Sequence, residues 1–485
     1  MADIKNQLTN AGDYSVAACE IISYRIHGDE HVPYVQNILP ITLSIELTED
    51  IFQKTLQGAI TVYDTQDIRT MLPITGLEKL NLKFNTPGLP GVRAVEGEGH
   101  PFQIYKVDEV RVDPSNPRGQ MYKIYFCSQE SYFDSISRVS RAFEGTIEDA
   151  IEILLRDKKY LNSKKAFIFE PTRSNTKYVV PNLRPLDTIT KLSKKARPQK
   201  YNGLGYFFYE TPKGFFFRSI ESMMAIAGIK TRPVIYKYNY QIQNTRQGDT
   251  KDVEMDMRNV LKYNFRKPVN TLFNMREGMY ANKKSTYDPF YKTFTDTTYD
   301  YAKDFSNYFH TEGTKDGDKS TDKTTLPFTE FEDTMKDISQ HLLSKLFVSV
   351  ETSKLFDNIE DTNLRGDMQQ MMSQMLQMTQ IRLDLLVNGN SLLNAGDMIT
   401  FDIPLMRPLG EDKQEMNPYY SGRYLITAIK HNISVKAGKY EMILKCMKDA
   451  VRNRFPIETE TYEINKPRGD SESLYNLDGQ ILKDV

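Results

Sequence analysis

Short runs of alternating apolar and polar residues dominate the first 130 positions. The clearest is LEKLNLKF (77–84), in which Leu80, Leu82 and Phe84 share one face. A period of two is typical of half-buried strands. Turn residues separate six such runs, which predicts an antiparallel barrel or sandwich over 1–130. The other runs are YSVAACEIISYRI (14–26), ILPITLSIEL (38–47), GAITVYD (58–64), IYKVDEVRV (104–112) and MYKIYF (121–126).

The pattern changes to a helical period over 131–232. In GTIEDAIEILL, Thr146 is a plausible N-cap with Asp149 three residues later, and the following apolar residues share one helical face. A second helix is expected to begin near Pro185. The aromatic run GYFFYETPKGFFFRSI (205–220) predicts a hairpin. Because no basic residues interleave with its rings, packing on the two helices is favoured over base stacking, and the segment is expected to be a small α+β domain.

Strand-like sequence patterns return in 233–275 and in 341–452, and we assign both ranges to a second barrel. The stretch 276–340 is rich in Tyr, Thr, Asp and Lys and is expected to be a loop-rich insertion. Residues 453–485 are polar and predict an extended tail that contacts a partner. A methionine stripe at helical spacing precedes the late strands and is interpreted as core of a helix on the second barrel, with a partner-docking face as the alternative. Its members are Met368, Met371, Met372, Met375 and Met378.

The late strands repeat the early ones with matched parity. Aligning Tyr105 with Tyr424 brings Val107 onto Ile426, and the preceding strands then align with an equal spacing of 25 residues from Leu80 to Tyr105 and from Ile399 to Tyr424. A one-residue slip would turn each apolar face outward, so matched parity is informative. The predicted core of the two barrels is Leu80, Leu82, Phe84, Tyr105, Val107, Tyr122 and Ile124 in the first, and Ile399, Phe401, Ile403, Tyr424, Ile426, Tyr440 and Met442 in the second.

The fold class predicted from these patterns is mainly β with an α+β middle domain, and with two pseudo-repeated antiparallel tube-type β-barrels in one chain. A chance resemblance between two hairpins is the alternative to a true repeat. If the repeat is real, a homotrimer would present six similar modules around one axis, since homo-oligomers favour closed symmetry. Such a ring adapts a sixfold partner to a threefold partner.

Composition excludes several classes of protein. The 63 Lys and Arg nearly balance 64 Asp and Glu, whereas a free-standing nucleic-acid binder carries a basic excess. The three cysteines are far apart in sequence, which suits a reducing site of assembly and argues against a disulfide scaffold or a zinc finger. The N-terminal residues have no apolar core of a signal peptide, and no run is apolar enough to span a membrane.

Candidate chemistry is sparse. The segment HGDEH holds His27, Asp29, Glu30 and His31, whose side chains are metal-ligand types, but they fall in a turn and a solvated loop is favoured. His431 lies in a predicted strand and is interpreted as a structural or interface histidine. No nucleophile elbow, P-loop or zinc-protease motif occurs, so no catalytic residue, metal or cofactor is predicted.

Several segments in order resemble the central baseplate hub protein of contractile-tailed phages, a family related to the N-terminal half of type VI secretion spike proteins. They are ITLSIELTEDIFQKTLQGAITVYD, EGTIEDAIEILL, VVPNLRPLDTITKLSKKA, GYFFYETPKGFFFRSI, and the late LLNAGDMITFDIP, GRYLITAIKHNIS and KYEMILKCMK. The resemblance covers about residues 14 to 450. It implies a non-enzymatic homotrimer in the tail baseplate of the virion, assembled in the host cytoplasm.

The partners implied by the resemblance are a hexameric tail-tube or tube-initiator protein above, a separate trimeric spike below and wedge proteins around. DNA passes through the lumen in transit, and no membrane is contacted. The long 276–340 insertion departs from the family, and nothing after residue 450 resembles a fused needle. Other functions left open by the sequence are a type VI secretion-like spike trimer, a tail-associated peptidoglycan hydrolase and a carbohydrate-binding module.

Overall fold

A computed structural model describes most of the chain and is mainly β. The described residues are 7–24, 33–72, 74–97, 100–114, 116–173, 176–224, 234–240, 252–267, 270–312, 345–350, 364–405, 416–451, 474–475 and 481–482. Among them, no helix has the length and apolar character needed to cross a bilayer. The HGDEH segment and most of the predicted 453–485 tail lie outside these residues.

The described residues between 7 and 128 form a β-module, called here the first module. A 3-10 turn at Leu39–Ile41 and a short helix α1 (Ile68–Met71) interrupt its strands. The strands are β1 (Ser15–Ser23), β2 (Tyr34–Asn37), β3 (Thr42–Asp50), β4 (Gln57–Asp64), β5 (Lys79–Asn85), β6 (Val92–Ala94), β7 (Phe102–Asp113) and β8 (Asn116–Ser128).

An α+β domain follows, as the sequence predicts. Its helices are α2 (Gln129–Ile136), α3 (Ile147–Arg156), α4 (Pro185–Ser193) and α5 (Ile220–Met224). Its strands are β9 (Val139–Gly145), β10 (Phe167–Phe169), β11 (Thr176–Leu183), β12 (Tyr206–Thr211) and β13 (Gly214–Ser219). The Thr146 hydroxyl caps α3 by accepting from the Asp149 backbone N–H at 3.4 Å. One face of the β12–β13 hairpin packs on the apolar residues of α3 and α4, and its rings are buried.

The later chain builds a second β-module and a small sheet inserted in it. The strands of the second module are β14 (Tyr236–Asn239), β15 (Val260–Lys267), β19 (Ile381–Asn388), β20 (Met398–Asp402), β21 (Gly422–Ser434) and β22 (Lys439–Lys448). The inserted sheet has β16 (Ala281–Asp288), β17 (Thr293–Asp300) and β18 (Leu346–Val350). The helices are α6 (Val253–Arg258), α7 (Thr271–Arg276), α8 (Tyr301–Asp304), a 3-10 turn at Phe305–Asn307 and α9 (Leu364–Met378), and the chain ends with a pair β23 (Leu474–Tyr475) and β24 (Ile481–Leu482).

The inserted sheet corrects two expectations from sequence. Residues 281–300, expected to be loop, form a regular hairpin of eight cross-strand pairs. β18, expected to belong to the second barrel, instead pairs in parallel with β16 and completes the order β17-β16-β18. Residues 346–350 fell within the range assigned to the second barrel, but a strand's position along the chain does not specify which strand is its partner.

The methionine-rich helix α9 also differs from expectation. Its most buried face carries Gln369, Ser373 and Gln377, and of the methionine stripe only Met378 is fully buried. The buried Gln369 amide donates to the Asn282 side-chain oxygen at 2.7 Å and accepts from the Thr297 hydroxyl at 3.1 Å. The helix therefore packs on β16 and β17 of the small sheet, while Met375 and Met378 contact a second cluster beside the α+β domain.

Both modules belong to one 14-stranded sheet. Its main path runs β15-β19-β22-β21-β3-β4-β8-β7-β5-β1-β2, with β20 and β14 branching from β21 and β6 pairing with β5. A bridge between Asn239 and Asn259 joins β14 to the start of β15 and nearly closes the second module. A single apolar core runs through both modules.

Five strands of each module follow one another in the same order. The first module has β3-β4-β8-β7-β5 and the second has β15-β19-β22-β21-β20, with antiparallel pairing throughout. Two bulges of each module fall at matching places, although β15 has a further bulge at Arg266 and β7 has one between Asp108 and Arg111. Leu43 of β3 and Leu261 of β15 are the extra residues of one pair of bulges, and Tyr105 of β7 and Thr427 of β21 are those of the other.

The spacing of these bulges matches too. In the first module, the residues just before the two bulges, Thr42 and Ile104, align across the sheet with Tyr122 and Phe126 of β8. In the second module, the corresponding residues, Val260 and Ile426, align with Met442 and Cys446 of β22. The separation is four residues in both modules. Bulges bend and twist a sheet locally, so matched bulges give the two modules the same local curvature.

The bulges also correct the alignment of the repeat. Leu80 and Ile399 are equivalent, since their partners Phe102 and Tyr424 both lie three residues before a bulge. Tyr424 therefore corresponds to Phe102 and not to Tyr105. Tyr105 is the bulged residue, and its 48% exposure places it outside the core that the sequence assigned to it.

The remaining residues of the expected repeat lie inward. Val107 is half-buried against the common core. When the modules are aligned on their matched bulges, Tyr122 is equivalent to Met442 and not to Tyr440. This shift of two residues leaves the same face of the strand buried. The other buried members are Leu80, Leu82, Phe84, Ile124, Ile399, Phe401, Ile403, Tyr424, Ile426 and Tyr440.

Candidate functional site at the junction of the two modules

The two modules meet through strands β3 and β21. Seven residue pairs, from Ala428 opposite Asp50 to Ser434 opposite Ser44, continue the antiparallel ladder across the boundary. The ladder is extended at one end by the Ile51 N–H, which donates to the Thr427 carbonyl at 2.9 Å, and at the other by the Val435 N–H, which donates to the Leu43 carbonyl at 2.9 Å. The junction is therefore a continuous sheet and not a contact of side chains alone.

A buried polar network lies under this ladder. His431, on the inward face of β21, contacts the Glu49 carboxylate at 2.9 Å through Nε2 and the Tyr440 hydroxyl at 2.6 Å through Nδ1. The second oxygen of Glu49 accepts from the Ala395 backbone N–H at 3.1 Å. Both His431 and Glu49 are almost fully buried. A charged group buried this deeply costs stability unless it is paired, so the network fixes β3 against the second module.

A second contact links loops of the two modules. The Thr86 backbone N–H donates to the Ser391 hydroxyl at 2.9 Å, and the Ser391 N–H donates back to the Thr86 hydroxyl at 3.1 Å. Thr86 also donates to the Gly389 carbonyl at 3.2 Å. A Cβ at Gly389 would lie 1.9 Å from the Tyr440 ring, so only glycine permits this approach.

The outward face of the junction carries charges of both signs. Glu46 of β3 is shared by Lys430 of β21 at 3.1 Å and by Lys123 of β8 at 3.7 Å. Farther along the sheet, Arg266 pairs with Asp384. These cations are thus offset by carboxylates of neighbouring strands.

One edge in each module remains open among the described strands. β7 pairs with β5 only through Phe102 and Gln103, so residues 106–113 have no strand on that side. In β21, the equivalent residues, 428–434, pair with β3. β15 lies at the end of the sheet path and is equivalent to β3, and beyond the single bridge at Asn259 its outer edge pairs with no described strand. Each chain therefore presents one free strand of the β21 type and one free strand of the β3 type.

The polar groups inside the molecule are arranged as structural pairs. Among the described residues, no group of three or more His, Cys, Asp and Glu side chains is placed to hold a metal ion. His310 is buried between Asp449 and the Phe305 carbonyl. Burial raises the pKa of Cys127 to about 11 and that of Cys19 to about 12, which keeps both thiols protonated and unreactive.

Comparisons with known proteins give structural neighbours only. No family model and no curated protein matches the sequence. A tail protein from Neisseria meningitidis MC58 is similar at 10% identity and a TM-score of 0.48, over 90% of this chain and 97% of that one. The 43 kDa tail protein of prophage MuSo2 from Shewanella oneidensis is similar at 10% identity and a TM-score of 0.47, over 89% and 98%.

A third neighbour is an Escherichia coli component of the type VI secretion system, described as structurally similar to T4 bacteriophage tail proteins. It is 11% identical, with a TM-score of 0.39 over 86% of this chain and 75% of that one. Tail proteins and type VI secretion components are the two groups that the sequence resembles. At these identities and TM-scores, the likeness carries no conclusion about what this chain binds.

Sequence reasoning found His431 but missed its partner Glu49. In TLSIELTED, Glu49 follows Ile45 and Leu47 on the inward face of the strand. A carboxylate on an otherwise apolar face indicates a buried partner. His431 on the inward face of a strand in the other module is the complementary signal, and the two together would have predicted the junction.

Proposed function

We propose that this protein is the structural hub of a phage-tail baseplate. In this proposal three copies form a ring of six modules that joins a hexameric tail tube above to a separate trimeric spike below. Wedge proteins surround it, and DNA crosses its lumen. The observation that carries the proposal is the pair of matched modules joined edge to edge, each leaving one complementary edge open.

The open edges specify how copies would join. Within the chain, β21 of the second module binds β3 of the first. Because β7 is equivalent to β21 and β15 is equivalent to β3, the free part of β7 would bind β15 of a neighbouring copy in the same way. This interface is heterologous and repeats around an axis, and three copies close it into a ring of six alternating modules.

The in-chain junction also sets the register. Lys430 lies opposite Thr48. Counting from the matched bulges, the equivalent of Lys430 is Asp108. The equivalent of Thr48 is the bulge formed by Arg266 and Lys267, because Thr48 faces Gln57 of β4 and the matching residue of β19, Arg382, faces this bulge. The proposal therefore places Asp108 of one copy opposite the Arg266 bulge of the next. Opposite charges on facing strands favour this pairing, and exposed edges of this kind are usually covered in native proteins.

The charges on the continuous sheet suit a channel for DNA. We assign its outward face to the lumen, where each phosphate contact by an unpaired cation would hold the DNA in place. The pairing of Lys123 and Lys430 with Glu46 and of Arg266 with Asp384 removes part of that attraction. A lumen of this kind lets DNA slide. In this proposal the protein acts as a structural channel and not as an enzyme.

A pair of cysteines tests the proposed ring. Asp108→Cys combined with Arg266→Cys should give covalent dimers and trimers under mild oxidation, read on a non-reducing denaturing gel. Cross-strand Cα distances of about 4.5–5.5 Å fall within the range that a disulfide bridges. Both native side chains are about half exposed, so the substitutions leave the core intact.

The matched control moves one cysteine out of register. Asp108→Cys with Lys262→Cys separates the thiols by about 14 Å along the strand, too far for a disulfide. The three native cysteines are buried, so we expect them to form no cross-links in this experiment. Equal cross-linking by both double variants, or none by the first, would contradict the register.

A further inference from the structure

A cleft of about 640 Å³ opens between the first module and the α+β domain. Its walls come from β6 and the loop after it, the segment 164–166 and the turn between β12 and β13. The floor is apolar and includes Leu56, Val92 and Phe102. The proposed ring uses β7, β15 and the outward sheet face, so it assigns this cleft no role.

The charge of the cleft is unbalanced. Two of its lysines are paired with carboxylates, Lys79 with Glu96 at 3.1 Å and Lys165 with both Glu210 and Glu130 at 2.7 Å. Arg93, Lys164 and Lys213 also line it, are exposed, and form no ion pair with any described residue. Since the whole chain has a net charge of -1, three unpaired cations at one cleft leave a local positive excess even after the second carboxylate on Lys165 is counted.

A strand edge is open at the same place. β6 pairs with β5 through Val92, Arg93 and Ala94 and has no other partner among the described strands. All three residues line the cleft. An extended peptide can hydrogen-bond to such an edge, while pockets beside it select the side chains.

We infer that this cleft binds an extended acidic segment of a partner protein. Carboxylates of the segment would meet Arg93, Lys164 and Lys213, its backbone would meet β6, and an apolar side chain would reach the floor. The carboxylates of Glu96 and Glu210 in the walls disfavour a polyanion such as nucleic acid, whose every residue carries a phosphate. The mixed lining therefore favours a peptide.

The test uses the full chain and a defined probe. A fluorescein-labelled peptide that alternates glutamate with leucine is titrated with protein, and its anisotropy is followed at about 50 mM salt, where screening of exposed charges is weaker than in the cell. Arg93→Glu with Lys213→Glu should weaken binding at least about tenfold, because two attractions become repulsions. Lys213→Ala alone should weaken binding by a smaller factor and guards against misfolding of the double variant.

The control keeps the same change of net charge at another place. Lys191→Glu with Lys436→Glu alters exposed lysines away from the cleft lining, and we expect binding within about twofold of the unmodified chain. Three results would overturn the inference. They are equal binding by the two double variants, equal binding of a glutamine-for-glutamate peptide, and full displacement of the peptide by inorganic pyrophosphate at an equal concentration.

Discussion

Replacing Lys165 by methionine should lower the free energy of unfolding by about 3–5 kcal/mol. The ammonium group contacts Glu130 at 2.7 Å and Glu210 at 2.7 Å, and both carboxylates are almost fully buried. Burial disfavours the charge of Lys165, but the two carboxylates outweigh it and raise its pKa above the ordinary value. Removing the cation leaves two like charges buried together. Thermal and urea denaturation followed by circular dichroism measure the loss.

The cluster matters because it joins two domains. Glu130 lies on α2, directly after the first module, and the other oxygen of Glu210 on β12 accepts from the Leu56 N–H of the first module at 3.0 Å. Lys165→Met with Glu130→Gln and Glu210→Gln removes the charges together and should recover much of the loss. Lys54→Met, which breaks an exposed pair with Asp187, should cost at most about 1 kcal/mol. A similar cost for Lys54→Met and Lys165→Met would refute this reading.

Asp449→Asn should destabilise the protein by about 3 kcal/mol near pH 6 and by less at pH 9. Asp449, at the end of β22, contacts His310 Nδ1 at 2.7 Å and accepts from the Thr311 N–H at 2.9 Å. Burial disfavours the imidazolium, but the Asp449 carboxylate outweighs it and raises the pKa of His310, with Glu221 adding to the effect. Near pH 6 the histidine is therefore charged and donates to Asp449 and to the Phe305 carbonyl.

The sign of the pH dependence follows from the raised pKa of His310. A raised folded pKa gives stability that is complete below the ordinary value of about 6.5 and is lost as pH rises through the folded value. The asparagine variant tolerates a neutral histidine, since its amide can donate to Nδ1. The two stability curves should therefore converge toward alkaline pH. A constant gap between pH 6 and pH 9 in urea denaturation would show that His310 is neutral in the native protein.

Much of the fold could be predicted from the sequence because period and parity are local. The alternation at Leu80, Leu82 and Phe84 defined a strand, and the Thr146 cap defined a helix start. What failed depended on partners far along the chain. β18 alternates like a barrel strand yet pairs with β16, and the bulge at Tyr105 adds one residue that no pattern reveals.

The junction was harder to predict than the core. Whether β21 pairs with β3 depends on which edges remain free once each module has formed, and that is a property of the assembled sheet. Buried charges gave the better signal. Glu49 and His431 interrupt apolar faces in different modules, and a buried carboxylate and a buried histidine need partners. Surface cations such as Arg93 gave none, because exposed charges are the default on any protein surface.

The mass of the purified chain in solution distinguishes the proposed ring from a smaller particle, since the modules can complete six positions only if three copies associate. One chain has a mass of 56.1 kDa. We expect a particle of three chains, about 168 kDa by light scattering or native mass spectrometry, whose mass stays constant on moderate dilution. A particle of one or two chains at every concentration would contradict the proposed ring.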